Sequence, residues 1–297
     1  MGRGELSAEV LDRINNLLPD LGPRFDEILS LSPDMISVAF HPESDVPVAA
    51  VCVMDAVHTI AGARYALLEC YAHGTYYRDV TQPPQEMMAV WFERYYVDDV
   101  VHRLYAAAEH IANGLLLMFE IGDDPLKRFK KRATSQQTTV GRLLLQEHPD
   151  REISKSIKAL TESTEWDAAM SYRGKLVHQQ PPLVSGLGIV YRRKRRWRPT
   201  PKGSFYLGIG GGDPSEFQPS ELIATCRGAL FRLVTVWDVS MAEFMEVLRQ
   251  KGGIHRRPDG TLVMGDVVSH VDLHPSPNSG TTILISARCP AGKHLGP

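Results

Sequence analysis

Apolar residues recur every three or four positions through most of the first 180 residues, a spacing that is typical of amphipathic helices. The most regular example predicts a helix from about Gln85 to Glu120. Its apolar positions form one stripe: Val97, Val100, Val101, Leu104, Ala108, Ile111, Leu115 and Met118. A second long helix is predicted within residues 45–80, and the apolar face expected for it contains Val51, Met54, Val57, Ala61, Tyr65, Leu68 and Tyr71.

Shorter helices are predicted on both sides of this pair. Ser7 is a suitable cap for a short amphipathic helix that ends near Gly22. Three more helices are predicted from the same spacing: residues 125–147, 151–161 and 164–179. Because the loops between these helices are short, an antiparallel bundle is favoured over a solenoid.

The pattern changes after residue 180. Residues 187–198 and 204–209 predict the two strands of a hairpin, and residues 281–286 predict a last strand. Between them, residues 219–251 predict another long helix, with apolar residues at Leu222, Ile223, Leu230, Leu233, Val234 and Trp237.

These elements predict a mainly α fold: an antiparallel helical bundle with a smaller α+β C-terminal appendage that contains hairpins. The expected domains are an N-terminal helical segment at 1–44, the bundle at 45–180 and the appendage at 181–297. A chain of 297 residues is long enough to bury a core of this kind without disulfide or metal support.

Composition excludes several classes of protein. A hydrophobic fraction of 43% and a charged fraction of 23% are ordinary for a folded protein, so the chain is not disordered throughout. The four cysteines are far apart and form no C-x-x-C motif, so we expect neither a disulfide scaffold nor a zinc module. No metal site and no cofactor are predicted.

The sequence also predicts a cytoplasmic location without a membrane partner. The longest apolar run, residues 46–54, is nine residues and contains Pro47, so it is far shorter than a bilayer span. Residues 1–7 contain no apolar core of a signal peptide.

One dense basic segment stands out in a chain whose net charge is only −2. Residues 189–202 hold seven Lys or Arg side chains and no acidic one, and aromatic residues flank the centre of the run. Cationic groups with aromatic neighbours can neutralise phosphates and stack on bases, as binding of single-stranded RNA requires. The nucleic-acid-binding residues expected on this basis are Arg192, Arg193, Lys194, Arg195, Arg196, Trp197 and Arg198. The alternative is a solvated hairpin whose charges keep an edge strand soluble.

Arg173 is a second candidate for binding an anion. On the predicted helix 164–179 it shares a stripe with Trp166, Met170 and Val177. A guanidinium that faces a core is costly unless it is paired with an acid or opens onto a cleft. An ion pair is therefore the alternative to a functional role, and four carboxylates are possible partners: Glu93, Asp98, Asp99 and Glu109.

His178 follows Arg173 by five residues, which places it about 140° away around an ideal helix. The two side chains can approach each other if the helix bends at Gly174 or ends early, or if a two-fold dimer brings two copies of the helix together. A histidine near a helix end can also be an ordinary surface or capping residue.

The element SYRGKLVHQ, an Arg-x4-His motif at the end of a predicted bundle, resembles the signature of HEPN domains (higher eukaryote and prokaryote nucleotide-binding). The long helix VDDVVHRLYAAAEHIANGLLLMF is similar to the first core helix of that family, so the resemblance covers residues 45–180. It implies a metal-independent endoribonuclease of a toxin or defence system that acts as a homodimer, with Arg173 and His178 as catalytic residues. RNA or a nucleotide, and a protein inhibitor or defence partner, are then the expected partners.

Two alternatives to a nuclease stay open. Nuclease members of the family usually have Asn, Asp or His directly after the arginine, whereas this chain has Gly174. The first alternative is a catalytically silent module of the same type that binds a nucleotide, RNA or a protein. The second is a structural interaction protein that uses the basic run as a docking strand.

Overall fold

A computed structural model describes the chain over residues 6–23, 25, 46–119, 121, 136–178, 182, 184–185, 197–199, 205–207, 217–252, 254–256, 262–264, 269–276 and 280–287. In the strands among these residues only the backbone is described.

The described residues contain seven α-helices. They are α1 (Ala8–Asn15), α2 (Val46–Thr75), α3 (Glu86–Met118), α4 (Gln136–Glu147), α5 (Glu152–Thr161), α6 (Thr164–His178) and α7 (Pro219–Gly252). A π-helical turn, Tyr76–Val80, directly continues α2. Apolar spacing predicts most of these bounds within a few residues, and the mainly α, bundle-like character of the fold is confirmed. The predicted part of α4 before Gln136 lies outside the described residues.

Six short strands form three antiparallel pairs in the described backbone. The strands are β1 (Trp197–Pro199), β2 (Phe205–Leu207), β3 (Ile254–Arg256), β4 (Leu262–Met264), β5 (Ser269–Ser276) and β6 (Gly280–Ala287). β1 pairs with β2, β3 with β4, and β5 with β6. The α+β appendage stays a prediction, because the side chains that would pack such a domain together are not described in these strands.

The apolar stripe predicted for α3 is confirmed. All eight of its members are buried, and none is more than 3% exposed. Its regular three-and-four spacing leaves one apolar face to bury, so the sequence determines how the helix is oriented.

The apolar face predicted for α2 is partly wrong. Val51 and Tyr65 are 54% and 55% exposed. The buried positions instead form a stripe of mostly smaller residues: Ala49, Val53, Ala56, Ile60, Ala63, Leu67 and Cys70. Because α2 is apolar on more than one side, spacing alone does not select the face that packs.

The first of two compact units combines Met1–Asp20, Ala61–Tyr105 and Thr161–Arg232. Arg64 ties the end of the α1 region to α2, since its Nε donates to the Pro19 carbonyl at 2.8 Å and its Nη2 to Asn15 Oδ1 at 2.7 Å. All the site residues discussed below belong to this unit.

The second unit combines Leu21–Ile60, Ala106–Leu160 and Leu233–Pro297. Trp237, which is 1% exposed, donates its indole N–H to the Val53 carbonyl at 3.1 Å. A Cβ added at Gly114 would lie 2.9 Å from Val53 Cγ2 and 3.2 Å from the Ala49 carbonyl oxygen. Glycine therefore permits the close approach of α2 and α3 at this point.

One helix in the described part of the chain is long and apolar enough to cross a membrane by length and composition alone. It is Val51–Val80, whose most apolar 18-residue window has a mean hydropathy of 1.3 and is 44% buried. Core helices of soluble proteins give the same signal, so this is weak evidence for a span and is compatible with a soluble protein.

Candidate functional site

The packed face of α6 is only partly the predicted one. Of the predicted stripe Trp166 is buried, whereas Val177 is 42% exposed. Ala169 and Tyr172 are also buried, since they continue the three-residue spacing from Trp166. Arg173 therefore follows the last buried residue of the helix and is half-buried.

The Arg173 guanidinium lies next to an aromatic ring. Its Cζ is 4.0 Å from the ring centroid of Tyr105, a distance at which a cation–π contact is favourable. The Nε atom of Arg173 is buried and has no hydrogen-bond partner among the described residues. A buried donor of this kind normally has an acceptor.

Three of the four carboxylates considered as ion-pair partners of Arg173 bind other side chains. They are Glu93 with Arg78 at 2.8 Å, Asp98 with Tyr172 at 2.6 Å, and Asp99 with Arg103 at 2.7 Å. These three carboxylates are therefore engaged with other side chains, and an ion pair with the fourth, Glu109, stays open as the alternative role of Arg173.

Tyr172 anchors α6 beside this arginine. It is fully buried and donates its hydroxyl to Asp98 Oδ1, while its ring packs edge-on against Phe217 at 5.0 Å. Burial raises the pKa of Asp98, and the hydrogen bond from Tyr172 and the charge of Arg94 oppose that rise. Burial and the hydrogen bond to Asp98 raise the pKa of Tyr172.

The raised pKa of Asp98 predicts a pH dependence of stability. In the unfolded chain, the Asp98 carboxyl loses its proton at about pH 4. In the folded protein, it keeps the proton to higher pH. The folded state therefore binds more protons in this interval, and its stability falls as the pH rises through it. We expect the free energy of unfolding of wild type, minus that of Asp98→Asn, to decrease from about pH 4 upwards and to level off above the folded-state pKa.

Urea denaturation across this pH range measures the difference. Tyr172→Phe is the informative second variant, because it removes the hydrogen bond that lowers the pKa of Asp98 and should move the decrease to higher pH. A difference that rises with pH would contradict the assignment.

His178 is the last residue of α6 and is exposed. The helix runs as one element from Thr164 to His178, so it neither ends at nor is interrupted by Gly174. Arg173 and His178 consequently keep the separation of about 140° around the helix axis. Within one chain the helix does not turn the two side chains to a common face.

Gly174 has room for a side chain. A Cβ added there would meet no heavy atom within 4 Å. Since alanine is the better helix former, Gly174→Ala should raise the free energy of unfolding by roughly 0.5–1 kcal/mol. Gly114→Ala is the matched control and should lower it, because its added Cβ would collide with α2. Thermal and urea unfolding of the two variants provide the measurement, and a destabilising Gly174→Ala would contradict this account.

The basic run falls almost entirely outside the described residues. This applies to Arg192, Arg193, Lys194, Arg195 and Arg196. For Trp197 and Arg198 the backbone is described, in β1, where they pair with Leu207 and Tyr206. Their expected role in binding nucleic acid stays a prediction.

The sequence reasoning missed a polar cavity in the first unit. Its volume is about 420 Å³, and it is lined by Tyr71, Thr75, Arg78, Glu86, Val90, Glu93, Ser185, Gln218, Pro219, Ser220 and Ile223. The π-helical turn after α2 carries Arg78, α3 carries the two glutamates, and α7 begins at the cavity.

Arg78 binds both glutamates of the cavity. Its Nη1 and Nη2 donate to the two carboxylate oxygens of Glu93, whose side chain is only 6% exposed. Its Nε and Nη2 donate to Glu86, whose side chain is 65% exposed. Hydrogen bonds to Glu93, and then to Glu86, raise the pKa of Arg78, so it stays charged.

The sequence contains a signal for one part of this cavity. Glu93 lies four residues before Val97 on the buried stripe of α3, and an acid on an apolar stripe predicts a buried cationic partner. The sequence does not indicate which residue is that partner, because Arg78 belongs to another element. Among the described residues, no group of three or more His, Cys, Asp or Glu side chains could hold a metal ion.

Comparisons of this chain with protein-family models, with curated proteins and with solved structures found no significant match.

Proposed function

We propose that this chain is an RNA-directed protein of HEPN type and a metal-independent endoribonuclease, in which Arg173 binds the scissile phosphate and His178 transfers protons. The single observation that carries the proposal is the state of Arg173. Its guanidinium lies 4.0 Å from the centre of the Tyr105 ring, its Nε has no partner among the described residues, and three candidate carboxylates bind other side chains. Arg173 is only half-buried, and a guanidinium binds phosphate oxygens through charge-assisted hydrogen bonds.

The reaction requires only these two side chains, the RNA and solvent water. The ribose 2′-oxygen attacks the phosphorus and the bond from phosphorus to the 5′-oxygen breaks, which leaves a 2′,3′-cyclic phosphate and a 5′-hydroxyl. Near neutral pH an imidazole can accept the 2′-hydroxyl proton while water protonates the leaving 5′-oxygen, or it can protonate that oxygen while water takes up the 2′-hydroxyl proton. The guanidinium stabilises the additional negative charge of the transition state.

A second copy of the chain completes the proposed site. Because Arg173 and His178 lie about 140° apart on one unbroken helix, the arginine of one copy would act with the histidine of the other. His178 is exposed at the end of α6, where a partner subunit could reach it. Both residues would then line one groove of a two-fold dimer.

The alternative is a catalytically silent RNA-binding module. Gly174 in the position after the arginine, and the unbroken helix, both favour it if no dimer forms. In that case Arg173 and the basic run would bind phosphates without cleavage.

One experiment separates the two functions. Purified protein is incubated with total RNA in the presence of EDTA, and the product ends are analysed for 2′,3′-cyclic phosphate and 5′-hydroxyl. Cleavage with these ends supports the nuclease. Binding without cleavage supports the module, provided that the steep salt dependence of binding is lost when the cations of 192–198 are changed to glutamine. RNA that is neither bound nor cut contradicts both functions.

A further inference from the structure

The cavity at Arg78 has the size of a small-molecule site. Its volume of about 420 Å³ lies within the range of known ligand pockets, roughly 300–1,000 Å³. One part of the wall is apolar, formed by Val90, Pro219 and Ile223, and the rest is polar. Arg173 and His178 do not line it, so the cavity is a feature separate from the proposed nuclease site.

The two ion pairs of Arg78 differ in kind. Glu93 is almost fully buried and holds the end of the guanidinium, so this pair belongs to the packed interior. Glu86 is mostly in solvent and holds the Nε–Nη2 edge at 2.9 and 3.1 Å. An exposed pair contributes little free energy, so an external anion can displace the Glu86 carboxylate where it could not displace that of Glu93.

The start of α7 borders the same cavity, which Gln218, Pro219 and Ser220 line. Pro219 has no backbone N–H and the Leu222 N–H bonds the Gln218 carbonyl, so Ser220 and Glu221 have the first-turn amides without a partner inside the helix. The partial positive charge at that end favours an anion next to Arg78. A cationic ligand would face this helix end and would compete with Arg78 for both carboxylates.

We propose that this cavity binds a small organic anion, whose carboxylate or phosphate group takes the Nε–Nη2 edge of Arg78 that Glu86 now occupies. The apolar body of the ligand lies against Val90 and Ile223. Glu86 thereby acts as an internal competitor that the ligand displaces. This site goes beyond RNA cleavage and does not depend on it.

The test measures binding of three small probes by isothermal titration calorimetry and by NMR line broadening of the probe. Phenyl phosphate and benzoate carry the two possible anions on the same ring, and benzylammonium carries a positive charge on a similar body. The variants are Glu86→Gln, which removes the internal competitor but keeps the size of the side chain, and Glu152→Gln as a control at an exposed carboxylate of the other unit.

At least one anionic probe should bind wild type, and the tighter of the two identifies the class of ligand. Glu86→Gln should tighten that binding about two- to fivefold, the effect of removing one exposed competing pair. Glu152→Gln should leave it unchanged. Ser220→Phe, which fills the cavity from an exposed position, should weaken it.

Four results would overturn the proposal. The first three are no binding of either anion to wild type and Glu86→Gln, equal or weaker binding by Glu86→Gln, and tighter binding of benzylammonium than of the anions. Binding that survives Ser220→Phe unchanged would place the anion elsewhere and would also overturn it.

Discussion

Replacing His178 with alanine is expected to lower the rate of RNA cleavage by roughly 10²–10⁴-fold, the usual contribution of a general acid–base group. The side chain is exposed at the end of α6, so its removal should leave the fold intact. Single-turnover cleavage of a labelled RNA gives the rate, and urea denaturation checks the stability. His58→Ala, at another exposed histidine, is the matched control and should cleave at the wild-type rate.

A mixing experiment tests whether the site is shared between two copies. Arg173→Gln and His178→Ala are each expected to be nearly inactive. When they are mixed and allowed to exchange subunits, half of the dimers are mixed and one site in each has both native residues. About a quarter of the wild-type activity should therefore return. Cleavage by His178→Ala at the wild-type rate would remove His178 from the mechanism, and no recovery on mixing would place both residues within one subunit or outside the site.

Replacing Arg78 with methionine is expected to lower the free energy of unfolding by about 3–5 kcal/mol, because it leaves the buried Glu93 carboxylate without its cation. Methionine keeps most of the aliphatic chain, so the loss reports mainly on the charge. Urea denaturation at neutral pH gives the value.

Two further variants identify the cause of that loss. Arg103→Met breaks the ion pair to Asp99, in which both side chains are about two-fifths exposed, and should cost less than about 1 kcal/mol. The double variant Arg78→Met/Glu93→Leu removes both buried charges and should recover most of the stability. The assignment is wrong if Arg78→Met lowers the free energy of unfolding no more than Arg103→Met does. It is also wrong if the double variant is as unstable as Arg78→Met, because Glu93 is then not stabilised by its pair with Arg78.

The helices were predictable wherever one face alone is apolar. In α3 the eight predicted apolar positions are all buried. In α2 the pattern predicts the helix but not its packed face, because more than one side is apolar and Tyr65 is left exposed. The buried side has mostly smaller residues, and two of them, Ala49 and Val53, lie close to Gly114 of α3.

The candidate site was predictable only in part. The Arg-x4-His motif names two residues, but whether they act together depends on the direction of each side chain and on a second copy, which local spacing does not encode. The cavity at Arg78 joins a π-helical turn, α3 and the start of α7, which are more than 100 positions apart in the chain at their extremes. No periodicity relates residues that far apart.

The sequence by itself determined the mainly α character, the approximate limits of the long helices and the apolar face of α3, because each of these follows from hydrophobic spacing within a single element. Tertiary structure alone decided which face of α2 and of α6 packs, that Arg173 rests on Tyr105, and that Arg78 joins Glu93 to Glu86. These outcomes depend on how well surfaces from distant segments fit, and a contact between such surfaces lowers the free energy only once the fold has brought them together.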